Sequence, residues 1–381
     1  MLLYFIILLI TILINFAAIK YGYKKEYCLM LSFSLLAIFV GISDMLGGYD
    51  RYIYGELFDG IADITRVNGK YNDALIFKVF PKEIGYIGYN ILISYITSNR
   101  YIFILLITFT IYLLYYFSLR KYCINYPFAV MLFMGLVFFF TFTYLRQMIG
   151  VGIAWLSIQY IYKRKLYKFL ICILIAVSFH NSALVLLPLY FIPVRKFKPR
   201  YIVIFMVICL VIGLSGTPST IFQIYGNTVD MHDRAATYVE RDIGFRYEYI
   251  MEAFIFLYLI LRNYTQIPTT KKEVVMLNTS LGFCAILLLF VLSLNGGRLG
   301  WFYVIGLIAT LSTICNEVQR NKYVRNLVSL ISLFLFVRIV FQWGPMLSPY
   351  KTFLTNGVRS YDLIYELYEY DENYAIDKFY R

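Results

Sequence analysis

The sequence predicts an all-α, polytopic integral membrane protein with about twelve transmembrane helices and a long outer loop after the second. Three observations predict it. Hydrophobic residues make up 61% of the chain and mean hydropathy is +0.69, far beyond a soluble globule of this length. Apolar stretches of roughly 16 to 20 residues, about what a helix needs to cross a bilayer, recur along the chain. Nearly every stretch ends in a basic cluster, and the clusters alternate: Lys20/Lys24/Lys25, Arg120/Lys121, Lys163/Arg164/Lys165/Lys168, Arg195/Lys196/Lys198/Arg200, Arg262/Lys271/Lys272 and Arg320/Lys322/Arg325. They hold 19 of the 35 Lys+Arg but only three of the 22 acids, Glu26, Glu273 and Glu317. Short basic loops face the cytoplasm, so the segments between them are expected outside.

The expected spans run over residues 2–19, 27–42, 101–118, 126–143, 147–162, 167–179, 181–193, 201–215, 249–261, 274–293, 301–315 and 327–343. The first lacks a basic leader and a small-residue cleavage site, so it reads as a retained helix and not as a signal peptide. Residues 84–97 are too polar at one end for a span and read as an interfacial helix on the outer side. The spans 167–179 and 181–193 are short. With basic clusters on both sides, the pair must form a hairpin returning to the cytoplasm, whether it spans fully or re-enters part-way. Both termini are expected outside. The 38 tyrosines fit aromatic belts at the membrane interfaces, although an AT-rich genome accounts for them equally well. Residues 1–381 read as one membrane domain, with outer segments at 44–100 and 216–246 and an outer tail at 344–381 that ends in an acidic run.

Composition also excludes functions. The net charge of +13 invites a nucleic-acid reading, but the basic residues sit at helix ends and form no continuous stripe, so no nucleic-acid partner is expected. The six cysteines, Cys28, Cys123, Cys172, Cys209, Cys284 and Cys315, are dispersed and read as small apolar residues. His232 lies between Asp230 and Asp233, yet one imidazole with two carboxylates in a loop is too little for a metal site. Neither metal nor cofactor is expected.

On this topology the isolated polar residues gather at the outer face. Asp50, Arg51 and Tyr52 follow Gly47-Gly48-Tyr49; Glu83 lies in Pro81-Lys82-Glu83-Ile84-Gly85-Tyr86; Arg146 and Gln147 sit between two apolar helices. His180 and Asn181 form the hairpin tip, Arg298 follows Asn295-Gly296-Gly297, and Arg338 falls within the last span. Ionisable groups at membrane depth are costly and usually line a polar cavity or pair with one another. Each also has a structural reading. Asp50 could cap a helix or pair with Arg51, Arg146 could anchor a helix end, His180 could be a satisfied turn residue, and Arg298 could belong to a turn. Arg338 reads best as the partner of Glu248 or Glu252. The functional reading assigns Arg146, Arg298 and Arg51 to a pyrophosphate, since arginine grips phosphate with two prongs and glycines let backbone amides approach an anion. Gln147, Tyr52 and Asn181 join them as substrate-binding candidates. Asp50, Glu83 and His180 are the proton-handling, catalytic candidates. Such a pairing suits glycosyl transfer from a lipid diphosphate: arginines neutralise charge on the leaving group while a base takes the acceptor hydroxyl proton.

The order Gly-Gly-Tyr-Asp-Arg-Tyr-Ile-Tyr (47–54), Glu83-Ile-Gly-Tyr, Leu145-Arg146-Gln147 and Ser178-Phe179-His180-Asn181-Ser182-Ala183-Leu184 resembles the EpsG family, Wzy-type polymerases of exopolysaccharide, capsule and O-antigen. The resemblance covers roughly residues 1–350, with Arg-Gln and Phe-His-x-Ser-Ala its most specific parts. Gly48-Tyr49-Asp50 departs from the more usual Gly-Thr-Asp, and Ser348-Pro349-Tyr350 resembles a Pro-Tyr often found after the last helix. The resemblance implies polymerisation of undecaprenyl-diphosphate-linked repeat units on the outer face of a bacterial inner membrane. The implied partners are the lipid-linked glycan, the bilayer and, left open, a chain-length regulator. A repeat-unit flippase and a glycan ligase are the rival readings. A flippase predicts internal repeats and broken helices meeting at the midplane, whereas here the charges gather at one face.

Overall fold

Boundaries of the helices follow local chemistry. The computed structural model describes residues 1–218, 220, 244–317, 322–359 and 371–381. Helix α1 (Leu2–Tyr21) stops at Gly22, which takes the left-handed conformation at φ 69° that glycine adopts most cheaply. After α2 (Lys25–Gly41) come α3 (Tyr49–Arg66), α4 (Leu75–Val79) and α5 (Ile84–Ser94). Helix α6 (Arg100–Tyr122) starts where the Asn99 side chain accepts from the Tyr101 and Ile102 amides, a standard way of satisfying orphan donors. Next are α7 (Tyr126–Leu136), α8 (Leu145–Ser157), α9 (Gln159–Tyr162), α10 (Leu166–Phe179) and α11 (Pro199–Leu214). The chain continues with α12 (Tyr247–Arg262), α13 (Lys271–Leu289), α14 (Asn295–Gly300), α15 (Val304–Glu317) and α16 (Lys322–Gln342), then the short α17 (Gly344–Leu347) and α18 (Glu372–Ile376).

The described residues are helical and form no named strand. Among the described residues three helices, α6, α13 and α16, are long and apolar enough to cross a membrane, and several shorter apolar helices accompany them. An integral membrane protein fits this pattern. Helices α2, α6, α8 and α10 pack side by side in that order, α7 lies against α1, α15 and α16, and α13 carries α11, α12 and α15. Small residues permit the closest approaches. A Cβ on Gly306 of α15 would stand 2.5 Å from the Thr279 Cβ of α13, and one on Gly152 of α8 would stand 2.7 Å from the Leu114 Cβ of α6.

Two expected spans take other forms. Residues 126–143 are α7 followed by a 3-10 turn, Phe138–Phe142. Consecutive aromatic side chains lose rotamer freedom in an α-helix, and here each ring finds its own partner: Phe138 on Phe142, Phe139 on Phe336, Phe140 on Trp301. The second hairpin arm is an 11-residue 3-10 segment, Asn181–Phe191, with Pro188 inside it; proline supplies no amide and clashes with the preceding turn of an α-helix. At about 2.0 Å per residue that arm is roughly 22 Å long, and the 14 residues of α10 give roughly 21 Å. Both fall short of the ~30 Å hydrocarbon core.

The segment expected as an outer loop, 44–100, is largely helical. Helix α3 buries Tyr52, Tyr54, Leu57, Phe58, Ile61 and Ala62 along one side. The chain end closes over it. Arg100, 2% exposed, pairs with Asp59 and, at 2.9 Å, with Asp371, and lies 4.3 Å from the Tyr374 ring centre. Lys378 reaches Asp44 at 3.2 Å, and Tyr374 donates to Asp59 at 3.0 Å. Replacing Arg100 with Met is expected to cost about 3–5 kcal/mol, because two buried carboxylates lose their cation. Thermal unfolding in detergent measures it, and an unchanged midpoint would contradict the buried clamp. Most of the segment 216–246, with His232, and residues 360–370 of the tail lie outside the described residues.

Candidate active site

The site is organised by two successive residues at the start of α8. Neighbours on an α-helix diverge by about 100°, so Arg146 and Gln147 reach two different sets of partners.

Arg146 turns toward α3 and α5. Its guanidinium stacks 3.7 Å from the Phe80 ring centre, with Tyr54 at 5.5 Å and Tyr86 at 5.8 Å, and it forms an ion pair with Glu83. The two side chains are 14% and 7% exposed. Its Nε also points at the Tyr54 hydroxyl, 3.4 Å away. An arginine caged by three rings and one carboxylate is fixed in orientation, so its remaining N–H donors point in set directions. Asp50 stands one turn before Tyr54 on α3 and acts on its hydroxyl electrostatically. Burial pushes the Tyr54 phenol up; Arg146 opposes this, while Asp50 and Glu83 add to it. Tyr54 therefore stays protonated at neutral pH and is a hydrogen-bond donor.

Gln147 turns the other way and is 3% exposed. Its Nε2 donates to the Ser182 hydroxyl at 3.3 Å and to the Arg298 carbonyl at 3.1 Å. Ser182 is held in turn by His180: its amide donates to Nδ1 at 3.3 Å and its hydroxyl lies 2.6 Å from the same nitrogen. A backbone amide can only donate, so Nδ1 is the acceptor and the neutral ring carries its proton on Nε2. Gly150, one turn further along α8, brings the helix against the hairpin tip; a Cβ there would be 3.5 Å from the His180 Cβ. Arg298 completes this set with its guanidinium 4.4 Å from the Tyr144 ring centre.

The Gly47-Gly48 pair aims the start of α3. Both adopt positive φ, 109° and 107°, a region costly for other residues. A Cβ on Gly47 would also stand 2.8 Å from the Phe142 Cβ.

Other expected site residues have structural partners of their own. Arg51 is fully buried, 0% exposed, and donates to the carbonyls of Phe142, Ser43 (3.1 Å) and Val40 (3.0 Å) and to the Ser43 hydroxyl (2.7 Å). It ties α2, α3 and the 3-10 turn together and is unavailable to a phosphate. Tyr52, 2% exposed, acts electrostatically on Tyr101 beside the C-terminal clamp. Glu83, expected to handle a proton, holds Arg146. The glycines beside Arg298 serve packing: Gly297 donates its amide to the Tyr249 hydroxyl at 3.0 Å, and Gly296 faces the Tyr249 ring, which a Cβ would approach to 2.8 Å. Arg338 pairs with Glu252 at 2.9 Å. Asn181 is half-buried at the head of the 3-10 arm, next to His180. Sequence reasoning missed Tyr54, Phe80, Tyr86, Tyr144 and Ser182. Only Tyr54, four residues after Asp50, and Ser182, two after His180, carried a local signal.

Below the tip, an apolar groove of about 710 Å³ runs between the 3-10 arm, α11 and α13. Val185, Pro188, Phe205, Leu281 and Tyr303 are among its walls. It opens three residues beyond Ser182, where Tyr303 donates to the Val185 carbonyl at 2.6 Å.

No curated protein and no solved structure matches the chain. The EpsG family pattern matches residues 26–352, most of its length, and the chain belongs to the EpsG family.

Proposed function

We propose that this protein joins undecaprenyl-diphosphate-linked oligosaccharide repeat units by glycosyl transfer, with its active site on the outer face of the bacterial inner membrane. Membership of the family supports a polysaccharide-polymerase type of role in general. The observation that carries the finer reading is the divergence of Arg146 and Gln147 into two polar groups. On one side a caged arginine meets Tyr54, on which Asp50 acts electrostatically, and on the other stand His180, Ser182 and Arg298.

In this reading the donor diphosphate lies between Arg146 and Arg298. The bond from the sugar anomeric carbon to the diphosphate oxygen breaks, and the acceptor hydroxyl oxygen forms the new glycosidic bond. Negative charge grows on the leaving diphosphate, where two fixed guanidiniums and the Tyr54 hydroxyl stabilise it. Asp50 takes the acceptor proton. His180, with its proton on Nε2, serves as a hydrogen-bond donor that positions the acceptor or assists the leaving oxygen. The short hairpin arms recess this tip within the bilayer depth, and the groove that opens below it takes the polyprenyl tail.

Surface-glycan ladders test the reading. His180→Ala is expected to cut elongation about 10–100-fold, giving inserted protein, single-repeat glycan and few longer products. A wild-type rate of extension by purified His180→Ala would reduce His180 to a structural hairpin residue. A deletion strain that exports no single-repeat material would favour a flippase instead.

A further inference from the structure

Four aromatic rings adjoin one another beside Arg298 as a stepped shelf, their planes inclined by 37° to 75°. Phe140 and Trp301 lie 4.6 Å apart, Tyr144 and Trp301 5.0 Å, Phe140 and Trp343 5.4 Å, and Tyr144 and Trp343 6.2 Å. Trp301 is 6% exposed and forms the base, while Phe140, Tyr144 and Trp343 are half-buried. The shelf connects the two ends of the site. On one side Tyr144 carries the Arg298 guanidinium at 4.4 Å and leads through Leu145 into Arg146 and Gln147. On the other, Trp343 begins the turn whose Met346 carbonyl accepts the Gly47 amide at 3.0 Å, and Met346 Sδ lies 3.2 Å from where a Gly48 Cβ would be. Gly48 is two residues from Asp50. The rings thus run from Arg298 to Trp343, and the turn that follows continues to the glycines before Asp50.

We infer that this shelf is the subsite for a pyranose ring of the glycan, with Trp343 as its principal stacking face. A pyranose presents an apolar C–H face and a polar rim of hydroxyls. Flat aromatic faces bury the first, and a few fixed polar groups at the edge orient the second. Here Arg298 lies against the Tyr144 ring at one end, and at the other the turn after Trp343 meets Gly47 and Gly48, three and two residues before Asp50. A polyprenyl tail would use the rings but not that polar rim. This assignment rests on the glycosyl-transfer reading and extends it to what lies between the two charged ends.

The three tryptophans make the test direct. Trp155 is 0% exposed and Trp301 6%, so acrylamide quenching in detergent reports mainly on Trp343. Oligosaccharides freed by mild acid from the host's own surface polysaccharide are expected to protect that fluorescence saturably, and inorganic pyrophosphate alone is not. Trp343→Phe should abolish the protectable signal and raise KM for the acceptor less than Trp343→Ala, which should raise it about tenfold with kcat little changed. No protection by oligosaccharide overturns the shelf, as does protection by pyrophosphate alone. Strong quenching of Trp343 by brominated lipid without sugar protection would make it an interfacial anchor. If the shelf fails while Asp50 and Arg146 variants still lose elongation, the glycosyl-transfer reading stands without it. If those variants elongate normally, that reading falls first.

Discussion

Asp50→Asn is expected to abolish visible polymer, with elongation down about 10²–10⁴-fold, the usual contribution of a positioned general base. The substitution keeps size and hydrogen-bonding capacity but removes the charge that accepts a proton. Asp50 lies at the first turn of α3, where the helix dipole also favours a negative charge. The Gly47-Gly48 turn that aims it is untouched, so protein level and membrane insertion should match wild type. Lipid-linked single repeats should accumulate. Assay of membranes with added lipid-linked repeats distinguishes a chemical defect from an export defect. A full ladder from Asp50→Asn would remove Asp50 from the chemistry.

Arg146→Lys should be nearly as severe, with a loss of about 10²–10³-fold, comparable to removing one transition-state donor elsewhere. Charge is conserved, but geometry is not. Lysine offers a point charge where the site holds a plane stacked 3.7 Å from the Phe80 ring centre and paired with Glu83. The Glu83 carboxylate would keep a cation nearby, so folding should survive better than in Arg146→Ala, which leaves that buried acid uncompensated. Initial rates measured with equal amounts of inserted protein decide it. Wild-type activity in Arg146→Lys would leave this side chain only a structural part.

The residues show why some of this was legible and some was not. Membrane helices announce themselves through local composition: α6 ends at Arg120 and Lys121 after a long apolar run, and no tertiary contact is needed to see it. Arg146, Gln147 and His180 stood out for the same reason, as polar residues stranded between apolar runs. Roles that depend on direction were hidden. Asp50 and Arg51 are adjacent, yet only knowledge that residues 49–66 form a helix tells that they diverge, and Arg51 then turns inward to backbone carbonyls. Helix α3 itself was obscured because Gly55 and Asp59 interrupt its apolar side, and Asp59 makes sense only opposite Arg100. The cage around Arg146 draws Tyr54, Phe80 and Tyr86 from two separate elements and the turn between them, and no local spacing encodes that. The 3-10 arm is the intermediate case: Pro188 is visible in the sequence, but the 3-10 form of the whole segment 181–191 is not.

The most direct test of the account is reconstitution of the purified protein in liposomes that contain only undecaprenyl-diphosphate-linked repeat units. The account predicts a ladder of lipid-linked oligomers, with one undecaprenyl diphosphate released for each linkage formed. Movement of single repeats between leaflets without any longer product would contradict it.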